Sequence, residues 1–151
     1  MPARHDSARR SVWWAAAFAC WVAFVWGHSL IQGPQSSLES GMVVTLLRPL
    51  FEAVGVTDVD LMAFLVRKTA HFTEYAMLGV LARGLFGSLH AGRGVRPLPA
   101  GLLVALVPVV DECIQLFVPG RSGQVTDVLL DLSGVVVGAL LAHLVYIMRD
   151  N

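Results

Sequence analysis

The sequence predicts an all-α, polytopic membrane protein: a bundle of four transmembrane helices with an extracytoplasmic interfacial segment between the first two. Three observations predict it. Apolar side chains make up 56% of the 151 residues and charged ones only 15%, whereas soluble domains run near a quarter charged. Mean hydropathy is +0.66. About four stretches approach the roughly 20 apolar residues that cross a bilayer, with little chain left over for a soluble domain. The Lys and Arg residues flanking those stretches also alternate between rich and poor connections. A net charge of zero supplies no basic field, so no nucleic-acid partner is expected and the lipid bilayer is the first partner.

The elements follow in order. Residues 1–11 form a polar tail with Arg4, Arg9 and Arg10. The first span, residues 12–31, is almost unbroken apolar sequence with Trp13, Trp14 and Trp26 near its ends, a placement that suits two membrane interfaces. A signal peptide is the competing reading, since basic residues precede the run; its length, its tryptophans and the lack of a small-x-small site before His28 lead to the expectation of a retained helix. Between the first two spans, Met42 to Val54 has apolar residues at helical spacing, interrupted by Arg48, Pro49 and Glu52. That segment is expected to lie along the outer interface.

The second span covers residues 61–89, and a Gly/Arg/Pro-rich connection follows over 91–99. The third span covers 100–118, with Pro108 inside it. A tight turn, Pro119-Gly120-Arg121-Ser122-Gly123, leads into the fourth, 125–148, and residues 149–151 close the chain. Cys20 and Cys113 both lie in apolar segments and read as buried small hydrophobes rather than a disulfide.

Orientation comes from the positive residues. Arg4, Arg9 and Arg10, then Arg83, Arg93 and Arg96, then Arg149 all fall on one side of a four-span bundle. The opposite loops hold only Arg48 and Arg121. Both termini are therefore expected in the cytoplasm.

This topology gathers ionisable groups. Lys68, His71 and Tyr75 are spaced i, i+3, i+7 and share one face in the outer half of the second span. Asp111 and Gln115 share a face near the outer end of the third, with Glu112 at its edge. Asp127, Asp131, Gly134 and Gly138 form one stripe from the outer end of the fourth, where the glycines allow a neighbouring helix to approach closely. Pro108 removes a backbone hydrogen bond just below the carboxylates and can open a polar pocket there.

A charged group facing lipid costs roughly 2.5–3.5 kcal/mol on insertion scales. The charged side chains should therefore converge in the bundle interior. Carboxylates outnumber fixed cations: Glu74, Asp111, Glu112, Asp127 and Asp131 stand against Lys68 and Arg121. Protonated carboxylates, a charged His71 or a bound cation would each restore the balance.

The candidate catalytic residues are His71, Asp111 and Glu112, a set able to serve as general acid and base. The candidate ligand-binding residues are Lys68, Tyr75, Gln115, Arg121, Asp127 and Asp131, with Lys68 and Arg121 suited to a phosphate or carboxylate. No cofactor is specified, although a divalent cation on Asp111, Asp127 and His71 would offset the excess of carboxylates. The residues leave catalysis and plain binding both open. Ion or proton transport finds little support, because the inner halves offer only Arg83, His143 and Tyr146.

Other polar residues have simpler expected roles. Arg67 is expected to snorkel to the interface, and Tyr146 and the tryptophans to anchor there. Glu74 is expected to bond within the bundle, His143 to be satisfied at a helix end, and His5 and His90 to be solvated.

Two stretches resemble the VanZ-like family: Arg67-Lys68-Thr69-Ala70-His71-Phe72-Thr73-Glu74-Tyr75, and Asp111-Glu112-Cys113-Ile114-Gln115-Leu116-Phe117-Val118-Pro119-Gly120-Arg121. The second continues into Asp127, Asp131, Gly134 and Gly138, and His28-Ser29 to Ser40 is similar to the family's first outer loop. The resemblance runs from about His28 to Leu141, and its specificity lies in the three pieces occurring together. One departure is Asp131, where family members often carry an amide. The resemblance implies a bacterial cytoplasmic-membrane protein of the cell envelope, associated with resistance to teicoplanin-type glycopeptides. The resemblance supplies that context and not a reaction; the placement of the ionisable residues, read within it, gives the expectation of an extracytoplasmic-side pocket that binds or modifies a lipid-linked or peptidoglycan-related ligand. The alternative is a non-catalytic ligand- or partner-binding protein whose buried charges are mainly structural.

Overall fold

A computed structural model describes residues 2–90 and 97–150, and among them the chain is all helical. The connection carrying Arg93 and Arg96 lies outside the described residues, as do the side chains of Arg4, His5 and His90. Five helices follow one another among the described residues: α1 (Pro2–Ser29), α2 (Gly33–Ala53), α3 (Val59–His90), α4 (Pro97–Gln115) and α5 (Val125–Asp150).

The first helix begins at Pro2 and runs straight through the stretch expected as a polar tail. The second begins at Gly33, nine residues ahead of the expected Met42. The cause is local: Pro34 stands in the first turn, where its missing N–H is no loss and its fixed φ suits the helix. Pro49 sits inside the same helix. The fourth helix stops at Gln115, short of the expected 118, and residues 116–121 turn through Val118 N–H to Gln115 O and Arg121 N–H to Val118 O. Gly120 closes that turn at φ 76°, a backbone conformation that favours glycine.

At 32 residues, α3 is about 48 Å long, and it is the hub, touching α1, α2, α4 and α5. Its most extensive partner is α5. A Cβ on Gly138 would fall on the Ala76 carbonyl oxygen, and one on Gly79 would fall on that of Val135. Backbone thus meets backbone, as the Gly134–Gly138 stripe predicts, with Gly79 supplying a matching gap on α3.

Next to this seam lies an apolar cluster of Val25, Tyr75, Leu78, Ala82, Val104 and Val107. Trp21 and Trp26 pack against it. Trp26 Nε1 donates to Val107 O at 3.2 Å and Trp21 Nε1 to Glu74 O at 2.9 Å. Trp26, expected at an interface, is instead turned into the bundle, because its indole N–H finds a helix carbonyl there. Trp13, by contrast, is exposed.

Polarity is reversed relative to a water-soluble fold. On α2 the buried positions are Gly33, Ser36, Ser40 and Val44, while Leu38, Met42, Leu46 and Leu50 form an exposed stripe. Asp111, Glu112, Gln115 and Asp131 are buried, whereas Leu102, Leu103, Leu106, Leu140, Leu141 and Leu144 face outward. Cys20 and Cys113 are exposed free thiols rather than buried ones, because their apolar faces have no helix against them.

Two helices, α1 over Arg9–Ser29 and α5 over Val125–Arg149, are long and apolar enough to cross a membrane. Only 6% and 17% of their most apolar windows are buried, so neither is the core helix of a soluble domain. Over their described residues α3 and α4 do not meet that measure. In α3 the cause is Arg67, Lys68, His71 and Glu74, crowded within two turns.

Candidate functional site

Three helix segments and one turn build the site. The face of α3 supplies Lys68, His71 and Tyr75, the last turns of α4 supply Asp111, Glu112 and Gln115, and the start of α5 supplies Asp127 and Asp131. The turn from α4 to α5 supplies Arg121. It is held against the start of α2 by the Gly33 N–H, which donates to Pro119 O at 3.0 Å, and by Arg121 Nε, which donates to Ile31 O at 3.1 Å. A Cβ on Gly33 would fall on the Gly120 carbonyl oxygen, so this approach requires the missing side chain.

The carboxylates divide into three groups. Lys68 Nζ pairs with Asp127 Oδ1 and also lies over the Phe64 ring, 5.3 Å from its centre. His28 stands between two acids, with Nδ1 3.3 Å from Glu74 and Nε2 3.4 Å from Glu39. Glu74 is therefore drawn toward α1. What remains is Asp111, Glu112 and Asp131 around His71.

That remainder is compact. His71, Asp111, Glu112 and Asp131 each place one nitrogen or oxygen so that all four lie within 4.8 Å of one another. Asp111 and Asp131 have no exposed surface at all. His71 Nδ1 is 3.6 Å from Asp131 Oδ1, beyond hydrogen-bond length. Gln115 Nε2 donates to Asp111 Oδ2 at 3.4 Å and Glu112 Oε1 at 3.5 Å, and the Gln124 N–H donates to Glu112 Oε2 at 2.7 Å. Asp111 Oδ1, both Asp131 oxygens, His71 Nδ1 and the Tyr75 hydroxyl are buried without a hydrogen-bond partner. Orphans of this kind are costly in a low-dielectric interior.

The cluster meets a cleft of about 260 Å³ at His71, which belongs to both, and at Gln115, which lines the cleft and bonds to Asp111 and Glu112. The cleft is also lined by Arg67, Lys68, Arg121 and Asp127, with Gly33 and Ser36 from α2. Arg67 and Arg121 have no carboxylate within ion-pair distance among the described residues. Burial lowers the pKa of the Arg121 guanidinium from its ordinary value; nearby Arg67 adds to that effect, and Asp111 opposes it. Two like charges sharing one cleft create a place for an anion.

The structure thus brings together His71, Asp111, Glu112 and Asp131 as one group, with Gln115 bridging two of the acids and Tyr75 buried beside Asp111. It sets Asp127 apart with Lys68. Two contributors escaped the sequence argument. Arg67, expected to snorkel away, lines the cleft, and His28 takes up Glu74. Both adjoin recognisable motifs, but their partners sit on other helices. Towards the other ends of α3 and α5, Arg83 Nη2 lies 3.3 Å from His143 Nδ1, and its guanidinium lies 5.4 Å from the Tyr146 ring centre.

A family model described as VanZ/LLP1 matches residues 14–146. No curated protein and no solved structure matches the chain.

Proposed function

Because the chain belongs to the VanZ/LLP1 family, we propose that it is a multi-pass protein of the bacterial cytoplasmic membrane whose outer-side cleft binds an anionic envelope ligand. In this reading α1, α3, α4 and α5 are the four spans, α2 lies in the outer interface on its Leu38–Leu50 stripe, and both termini are cytoplasmic. The ligand class is a lipid-linked or peptidoglycan-related molecule carrying phosphate or carboxylate.

The observation that carries this reading is the Arg67–Arg121 pair, two cations in one cleft with no acid partner among the described residues. Arg121 has its Nε engaged by Ile31 O, which orients the guanidinium and leaves two Nη groups for a bidentate anion. Lys68 and Asp127 form the wall, while Gln115 and Tyr75 lie deeper. His71 with Asp111 or Glu112 supplies the acid–base pair that modification of the ligand would need. Such binding would bear on susceptibility to teicoplanin-type glycopeptides, the trait that the sequence resemblance implies.

A second reading is favoured by a specific observation: Lys68 pairs with Asp127 and His28 with Glu74 within the protein. On that reading the charges hold helices together and the cleft binds without catalysis.

Native mass spectrometry of the purified full chain with polyprenyl phosphate as probe tests the proposal. Arg121→Gln and Arg67→Gln should each cut retention roughly ten- to a hundredfold, the worth of one charge-assisted hydrogen bond. Equal retention by both variants, or equal retention of the uncharged polyprenol, overturns it. Full retention by His71→Gln with unchanged drug susceptibility favours binding without catalysis.

A further inference from the structure

We propose that His71, Asp111, Glu112 and Asp131 form a binding site for one divalent transition-metal ion at the floor of the cleft. Three independent features meet there.

The first is geometry. Four donors on three helices lie within 4.8 Å of one another. Ligands of a tetrahedral ion held at about 2.1 Å stand about 3.4 Å apart, so the donors must draw in by side-chain rotation to close the shell.

The second is unmet bonding. Both Asp131 oxygens, Asp111 Oδ1 and His71 Nδ1 are buried with no hydrogen-bond partner. The Tyr75 hydroxyl, outside the donor set and fully buried beside Asp111, is equally unpartnered. The carboxylate oxygens and the imidazole nitrogen offer lone pairs to a cation, and the hydroxyl can donate to a ligating Asp111 as an outer-shell partner. Glu112 already has such partners, the Gln115 amide and the Gln124 N–H.

The third is charge. Lys68 is taken by Asp127 and His28 lies against Glu74, so three buried carboxylates face one imidazole. Arg67 and Arg121 line the cleft but stand at ion-pair distance from none of the three among the described residues, and a dication held between the carboxylates restores near balance.

The donor chemistry narrows the ion. One imidazole nitrogen among carboxylate oxygens suits Mn²⁺ or Zn²⁺ better than Ca²⁺, which favours all-oxygen shells of six to eight ligands. Asp127, attractive in the sequence as a ligand, is excluded by its pairing with Lys68.

The test uses the full chain in detergent, stripped with a chelator and dialysed against Mn²⁺ or Zn²⁺ alone, with uptake read by elemental mass spectrometry. About one ion per chain is expected, together with a metal-dependent rise in Tm. Asp131→Asn and His71→Gln should reduce uptake to background, Tyr75→Phe should weaken affinity about 10- to 100-fold, and Asp127→Asn should retain it. Background uptake by the wild-type chain, or equal uptake by Asp131→Asn, overturns the site; so does loss of uptake in Asp127→Asn alone. The site stands apart from the anion reading: Arg121→Gln should lose polyprenyl phosphate and keep its metal.

Discussion

Lys68 on α3 and Asp127 on α5 close an ion pair across the most extensive helix contact of the fold. The pair sits at the mouth of the cleft, half sheltered, and it decides which carboxylates remain for chemistry.

Removing one partner should therefore cost more than removing both. Lys68→Ala leaves Asp127 without its counter-ion and should destabilise the chain by about 1.5–3 kcal/mol. Lys68→Ala with Asp127→Ala should recover part of that loss. Thermal unfolding of the four proteins of the cycle in one detergent reads the coupling; strictly additive losses would show the pair to be energetically idle.

The α3–α5 seam makes a contrasting prediction about two glycines. Gly138→Ala drives a Cβ into the Ala76 carbonyl oxygen and should cost about 1–3 kcal/mol as the helices part. Gly41→Ala meets nothing within 4 Å in the middle of α2. It should be neutral or stabilising by about 0.5–1 kcal/mol, since alanine is the better helix former. Melting temperatures that fall equally for both would contradict the close approach.

Topology can be read from labelling. In a Cys20→Ala/Cys113→Ala background, Ser122→Cys should react with a membrane-impermeant maleimide in intact cells. Arg149→Cys should react only after permeabilisation. The reverse pattern would invert the proposed orientation and place the cleft in the cytoplasm.

Much of the site was legible in the sequence because helical spacing alone puts Lys68, His71 and Tyr75 on one face and Asp127, Asp131, Gly134 and Gly138 on another. The expected depth rests on the direction in which each span is expected to run. Rotation has no such basis. Which acid meets which base depends on how each helix turns about its axis, and that is set by Gly79, Gly134 and Gly138 locking α3 to α5. So Asp127 was grouped with the metal-ligand candidates although Lys68 claims it, and Glu74 was pooled with acids from which His28 withdraws it. Apolar spacing marks α2 only from Met42, whereas its start at Gly33 depends on Pro34, which suits a first helical turn. Arg67 was misjudged: a long cationic side chain near a span end ordinarily reaches for water, and here the nearest polar space is the cleft.

The outward leucines of α2 carry a practical meaning for handling the molecule. A surface of Leu38, Met42, Leu46 and Leu50 over a layer of Ser36 and Ser40 keeps its order only while something greasy coats it. The amphiphile chosen for extraction is then a structural component: strip it too far, and water reaches the Gln115 and Lys68 contacts from the side. The first thing to fail would be the arrangement of acids around His71, well before the helices unwind, and a preparation that still looks fully helical could already have lost its site.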